Sequence, residues 1–178
     1  MTEAALEALA IRALAFVPER GAVGLGSGHA AAAFVRALAA EVSRGRAVRG
    51  VATSEATARL ARELGIPLVG LGEASVEVTV DGADEVDPTL NLIKGYGGAM
   101  VRERIVAAAS RRQIILVGAD KLVPVLGAHG RLPLEVVPFA LPLVLERLTR
   151  RGLGPTVRRA DGQPVLSDNG NAIVDCAV

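Results

Sequence analysis

Residues 75–105 read SVEVTVDGADEVDPTLNLIKGYGGAMVRERI, and their pattern decides the fold. SVEVTV alternates apolar and polar residues, the period of a strand. AMVRERIVAAASR repeats at helical spacing, with Val101, Ile105 and Ala108 expected on one buried face and Glu103 opposite, away from it. Between strand and helix lie Asp81, Asp84, Lys94 and the glycines Gly95, Gly97 and Gly98. In an open α/β sheet, a strand that ends in a loop feeding a helix opens onto the crevice where ligands bind. Carboxylates, an ammonium and exposed backbone N–H groups there suit a small anionic, hydroxyl-rich molecule whose protons are to be moved.

The flanking sequence repeats the strand–helix rhythm. Upstream, 2–18 is an amphipathic helix, 22–26 a strand, 30–42 a helix, 48–53 a strand and 55–64 a helix capped by Ser54, with IPLVGL as a further short strand. Downstream, QIILVGA (113–119) is an apolar strand. This alternation predicts an α/β fold with a parallel, doubly wound sheet. After Lys121 the pattern changes: LVPVLGAHGRLP is a connector, LEVVPF a strand and ALPLVLERLTRR a helix. The remainder reads as strands turned at Asp161-Gly162 and Asn169-Gly170, strong hairpin signals. Two domains are expected, 1–128 and 129–178, the second a small α+β unit.

Composition narrows the function classes. Of 178 residues, 51% are hydrophobic but only 2% aromatic, so Ala, Val, Leu and Ile must build the core. A net charge of +1 gives no general attraction to nucleic acid. Cys176 stands alone, expected as a small buried hydrophobe, which excludes a disulfide framework and a Cys/His zinc site. No apolar run long enough to span a membrane and no signal peptide are present, which makes the cytoplasm the expected location.

GLGSGHAAA (24–32) ends a strand in Gly-x-Gly and enters a helix, which points N–H groups and the positive helix end at an anion. Phosphate binding with Ser27 as an added donor is expected; the alternative is a plain tight turn. The run from Gly26 to Ala31 also fits a loose dinucleotide fingerprint, but Thr53 and Ser54 stand where a ribose-binding acid belongs, which disfavours an oxidoreductase. His29 is either a phosphate donor or a solvated residue of the first helical turn, and His129 a loop residue. One aspartate of the Asp81–Asp84 pair could be turn chemistry. Two, followed by Glu85 and Asp87, need a cation, a metal or sugar hydroxyls, and no further ligand at metal spacing follows. Glu103 is either a surface carboxylate or a base.

GLGSG, ATSEAT, VDGADEVD, LIKGYGGAMVRERI, GADKLVPVLG, LPLEVVPF and SDNGNAIVD together resemble the A-type ribose-5-phosphate isomerases, in family order and over nearly the whole chain. The resemblance implies a Rossmann-like catalytic domain with a ferredoxin-like lid, and interconversion of ribose 5-phosphate and ribulose 5-phosphate in the non-oxidative pentose phosphate pathway without cofactor; the lack of ligand-spaced His and Cys adds the expectation that no metal is needed. It makes Glu103 the base, Asp81 and Asp84 the groups that bind sugar hydroxyls and assist ring opening, and Lys94 the charge that stabilises an enediolate with loop N–H groups through Gly97. Ser27, Gly28, His29, Ala30, Gly82, Ala83, Gly95, Tyr96 and Lys121 complete the implied substrate-binding set. A non-catalytic sugar-phosphate-binding module of the same fold is the alternative, and it should lack the acid–base set. The chain departs from the family in its phosphate loop, usually Gly-Thr-Gly-Ser-Thr and here Gly26-Ser27-Gly28-His29-Ala30. It also stops where the family continues. An incomplete lid is therefore expected, its closing strand NAIVDCAV left with unpaired donors and covered by association into a homodimer or homotetramer.

Overall fold

The computed structural model describes residues 2–178, which form two compact units. The first comprises residues 2–82 and Val101–Asp120, the second Ala83–Met100 and Lys121–Val178. The division differs from the expected 1–128 and 129–178, because the chain leaves the first unit after Gly82, returns at Val101 and leaves again after Asp120. A composition change along the chain marks only the last of these crossings.

The first unit is built as α1 (Glu3–Leu14), β1 (Arg20–Leu25), α2 (His29–Ser43), β2 (Ala47–Ala52), α3 (Glu55–Glu63) and β3 (Val76–Asp81). The chain re-enters it as α4 (Val101–Ala109) and β6 (Gln113–Ile115), after β4 (Glu85–Val86) and β5 (Leu92–Ile93) of the second unit. Its sheet is parallel throughout, in the order β2-β1-β3-β6. One face carries Val23, Leu25, Val48, Val78 and Val80 against Ala10 and Ala13 of α1, Phe34, Val35 and Leu38 of α2 and Ala61 of α3. On the other, Ala22, Val51 and Val76 meet Val106 of α4. Helices thus cover both faces, the doubly wound arrangement. Val76 and Val78 face opposite ways because a register shift between Ala22 and Val23 inserts Glu77 as an extra residue in β3. Each of these fully buried Val or Leu side chains contributes about 1.5–3 kcal/mol.

Three local readings change. IPLVGL is no strand: Leu68 makes a single isolated bridge to Gly50, because Pro67 has no N–H to extend a ladder. QIILVGA is paired only to Ile115, and its end becomes the 3₁₀ turn Ala119–Lys121. On α4 the buried residues are Glu103 and Val106, while Ile105 is 48% exposed. The expected face was therefore wrong. The helix seats Val106 between Ala22, Val51 and Val76, and that contact turns Glu103, three residues earlier, inward as well. Ser54 caps α3 as expected, accepting from Thr57 N–H at 3.1 Å.

In the second unit β4 and β5 form a short hairpin. β7 (Leu132–Val136), α5 (Leu141–Arg150), β8 (Thr156–Val157), a small hairpin of β9 (Arg159–Ala160) and β10 (Gln163–Pro164), and β11 (Ala172–Cys176) follow. The antiparallel sheet runs β7-β11-β8, with Val136, Val174 and Cys176 packed against Leu141, Val144, Leu145 and Leu148 of α5. β11, expected as an unpaired closing strand, is instead the central strand, bonded to β7 on one side and β8 on the other. Asp161-Gly162 turns the β9–β10 hairpin with φ of 49° and 77°, as its sequence required.

Candidate active site

In the first unit the ends of neighbouring strands bring Asp81 to the glycine turn after β1. Leu25 pairs with Val80, and Gly26 N–H donates to the Val80 carbonyl at 2.9 Å. Asp81, fully buried, then accepts at Oδ1 from the N–H groups of Ser27 (3.0 Å) and Gly82 (2.8 Å). The Ser27 hydroxyl lies 2.9 Å from those of Thr53 and Ser54, while Thr57 donates to the Gly26 carbonyl at 2.8 Å and Thr53 to that of Leu25 at 2.9 Å. This hydroxyl cluster, drawn from ATSEAT, ties the turn to the β2–α3 junction. Sequence reasoning took Ser54 as a helix cap, Ser27 as a phosphate donor and Thr53 with Ser54 as evidence against a ribose-binding acid, but did not bring the hydroxyls together; their signal was a run of short hydroxyl residues at a strand end.

Gly28 has φ +89° and begins α2 without a side-chain cap, and His29 follows exposed, with Ala30 half-buried. The first-turn N–H groups of α2 are those a phosphate would use. Glu103 lies in the first turn of α4 and is 6% exposed. Its neighbour Arg102 is held at 2.7 Å by Glu55, whose carboxyl sits below the usual range through that hydrogen bond and charge. A cavity of about 550 Å³ lined by Phe16, Glu77, Arg111 and Arg112 lies toward the opposite, N-terminal ends of β3 and β6 and involves none of these residues.

Asp84 and the glycine loop belong to the second unit. Asp84 donates its N–H to the Ile93 carbonyl (2.9 Å) and accepts at Oδ2 from Tyr96 N–H (2.9 Å), so one aspartate holds the loop that follows β5. Gly98 N–H closes the turn onto the Gly95 carbonyl at 3.0 Å. Gly95 (φ +105°) and Gly98 (φ +92°) need the left-handed conformation, and a Cβ at Gly95 would also meet Met100 Sδ at 2.8 Å. Lys94 is half-buried at the head of the loop, as is Lys121 at the end of its 3₁₀ turn; Ala83 is half-buried before Asp84. Tyr96 donates to the Arg131 carbonyl at 2.9 Å, with the Arg131 guanidinium 4.2 Å above its ring. Burial and the nearby Glu85 charge raise its phenol, which keeps it a donor.

Glu85, counted in the sequence reading only as added negative charge after Asp84, is a fully buried carboxylate. It accepts from the N–H groups of Gly127 (2.6 Å) and His129 (2.8 Å) and so holds the connector. Burial alone would raise this carboxyl, but those N–H groups, the nearby His129 and the Tyr96 hydroxyl together outweigh it and keep it below 4.5. A depressed carboxylate gives stability that is full above its unfolded value and lost as pH falls through the folded one. We expect Glu85→Gln, whose NH₂ opposes one of the two N–H donors, to cost about 1–3 kcal/mol at pH 7. We also expect it to lessen the loss of stability below pH 4.5. Thermal unfolding from pH 3 to 7 checks both; parallel curves for the two proteins would remove Glu85 as the acid-sensitive anchor.

A parallel α/β sheet with buried carboxylates at its loop ends, and a glycine loop led by a lysine, is equipment for acid–base chemistry on a small polar anion. Residues 49–178 match the family model for ribose 5-phosphate isomerase A (phosphoriboisomerase A). The ribose-5-phosphate isomerase A of Roseiflexus castenholzii is 50% identical over 170 residues, covering 93% of this chain and 72% of that protein; that of Parvibaculum lavamentivorans is 46% identical, covering 96% and 77%. The solved ribose 5-phosphate isomerase A of Methanocaldococcus jannaschii superposes with a TM-score of 0.95 at 37% identity, covering all of this chain and 81% of that one. A D-ribose-5-phosphate isomerase solved with phospho-erythronic acid gives 0.94 at 36% identity, with the same coverage. The chain belongs to the ribose 5-phosphate isomerase A family.

Proposed function

We propose that this chain interconverts ribose 5-phosphate and ribulose 5-phosphate in the non-oxidative pentose phosphate pathway. One observation carries the reading: a chain of this family retains Asp81, Asp84, Lys94 and Glu103, with Glu103 buried rather than displayed on the surface of α4. The Glu103 carboxylate takes the proton from C2 of the open-chain aldose and returns it to C1. The electron pair left at C2 becomes the enediol double bond, a proton passes from the C2 hydroxyl to O1, and no net oxidation occurs. Lys94 and the loop N–H groups through Gly97 stabilise the charge that develops on the enediolate oxygen. Asp81 and Asp84 receive sugar hydroxyls during ring opening, and the α2 N-terminus with Ser27, Gly28, His29, Ala30 and Lys121 takes the phosphate end. The relative solved with phospho-erythronic acid fits this chemistry, since a carboxylate beside a phosphorylated chain has the planar paired oxygens of an enediolate.

The reaction places the enzyme in the cytoplasm, where charged sugar phosphates are retained. Among the described residues no helix is long and apolar enough to cross a membrane. A homodimer or homotetramer would cover Val137, Phe139 and Leu143, which are 58, 98 and 48% exposed. Incubation with ribose 5-phosphate should yield ketose, and activity should survive EDTA followed by desalting. Loss on chelation with recovery on a divalent ion would make Asp81 and Asp84 metal ligands, and absence of ketose would overturn the proposed reaction.

A further inference from the structure

One side chain of the small antiparallel sheet reaches the glycine loop. Arg158, directly after β8, puts Nε and Nη2 on the two Asp175 oxygens at 2.8 and 2.5 Å. Its remaining nitrogen, Nη1, donates to the Tyr96 carbonyl at 2.8 Å. Asp175 sits in β11 and its carboxyl is held low, first by that hydrogen bond. The carboxylate thus orients a planar fork whose free arm meets one peptide. Asp84 holds Tyr96 N–H at the other end of the same residue.

A trans peptide is planar, so its carbonyl and the next N–H point in opposite directions. With the Tyr96 carbonyl fixed on Arg158, the Gly97 N–H is turned away from the guanidinium in one set direction. A cation on the carbonyl oxygen also polarises the peptide and strengthens that donor. Gly97 itself is exposed, lies outside the left-handed region, and a Cβ there would meet nothing within 4 Å. Neither conformation nor packing demands glycine at 97, in contrast to Gly95. Open space beside a fixed donor is what close approach of a ligand needs.

We propose that Arg158, oriented by Asp175, is a positioning residue that fixes the Tyr96–Gly97 peptide and aims the Gly97 N–H at the oxyanion formed in the reaction. The proposal rests on the isomerase reading above. Arg158→Met should lower kcat about 10–100-fold, up to the lower end of what losing an oxyanion donor costs. The KM for ribose 5-phosphate should change less than about threefold, with binding of phospho-erythronic acid, read by calorimetry, weakened alongside kcat. Asp175→Asn leaves an acceptor for Arg158 and the arm on Tyr96, so it should lose distinctly less. An ion pair that only braced the sheet would show equal losses from either end, seen in the melting temperature and not in kcat of the folded fraction.

Unchanged kcat in folded Arg158→Met, or an equal kcat loss in Asp175→Asn, would overturn the assignment. Should Arg158→Met fail to fold, Arg158→Lys, which keeps the charge but not the fork, takes its place: a lower kcat than Asp175→Asn supports the role, and the reverse order overturns it. An inactive wild type would overturn the isomerase reading as well, whereas an active wild type with an indifferent Arg158 removes only this inference.

Discussion

Glu103→Gln is expected to lower kcat by about 10²–10⁴-fold, the contribution typical of a positioned general base. The KM for ribose 5-phosphate and the affinity for phospho-erythronic acid should stay nearly constant. Glutamine keeps the size, the planar head group and one acceptor oxygen, so the first turn of α4 and the seat of Val106 against Ala22, Val51 and Val76 are preserved. What it loses is the ability to receive the C2 proton. Arg102 gives no alternative route, because a guanidinium stays protonated and offers no acceptor for a proton; it pairs instead with Glu55. Initial rates of ketose formation beside calorimetric titration of the phosphorylated acid separate the two quantities. A variant that turns over at the wild-type rate would show that the proton is taken by another group.

The strand–loop–helix at 75–105 was legible because alternation and helical spacing are local properties, and so were the Ser54 cap and the Asp161-Gly162 turn. The burial of Glu103 was not. On a nine-residue helix with three consecutive alanines the apolar stripe is ambiguous, and the choice of face is made by where Val106 finds a hole in the sheet. The hydroxyl cluster around Ser27 depends on strand order, which places the ends of β1 and β2 side by side. Arg158 and Glu85 act across 62 and 42 to 44 residues of chain. No spacing rule relates an arginine after a two-residue strand to a distant glycine loop. The pairing of β11 on both sides was missed because the pattern that marks a strand does not name its neighbour, and the partner β8 is only two residues long, between Pro155 and Arg158.

Gly26→Ala should be the most damaging single-methyl change in the first unit. The added Cβ would overlap the Asp81 carboxylate and come within 2.6 Å of Asp81 Cα. A side chain can swing aside, but a backbone atom in β3 moves only if the strand ends separate. That separation strains the Gly26–Val80 hydrogen bond and pulls Asp81 Oδ1 from the N–H groups of Ser27 and Gly82. Overpacking costs about 1–3 kcal/mol, and hydrogen bonds to a charged group contribute about 1.5–3 kcal/mol. The melting temperature should therefore fall by on the order of 10 °C for a chain of this size. The kcat/KM for ribose 5-phosphate should fall about 100-fold or more, since the turn at Gly26–Gly28 and Asp81 shift together and small misplacements are costly. Gly28→Ala is the control. Its φ of +89° makes alanine strained, but nothing lies within 4 Å of the new Cβ, so Asp81 keeps its partners. The cost there should be about 1–2 kcal/mol, with a smaller loss of activity. If Gly26→Ala melts and turns over like the wild type while Gly28→Ala does not, the turn is governed by its helix end and not by the close approach of β1 to Asp81.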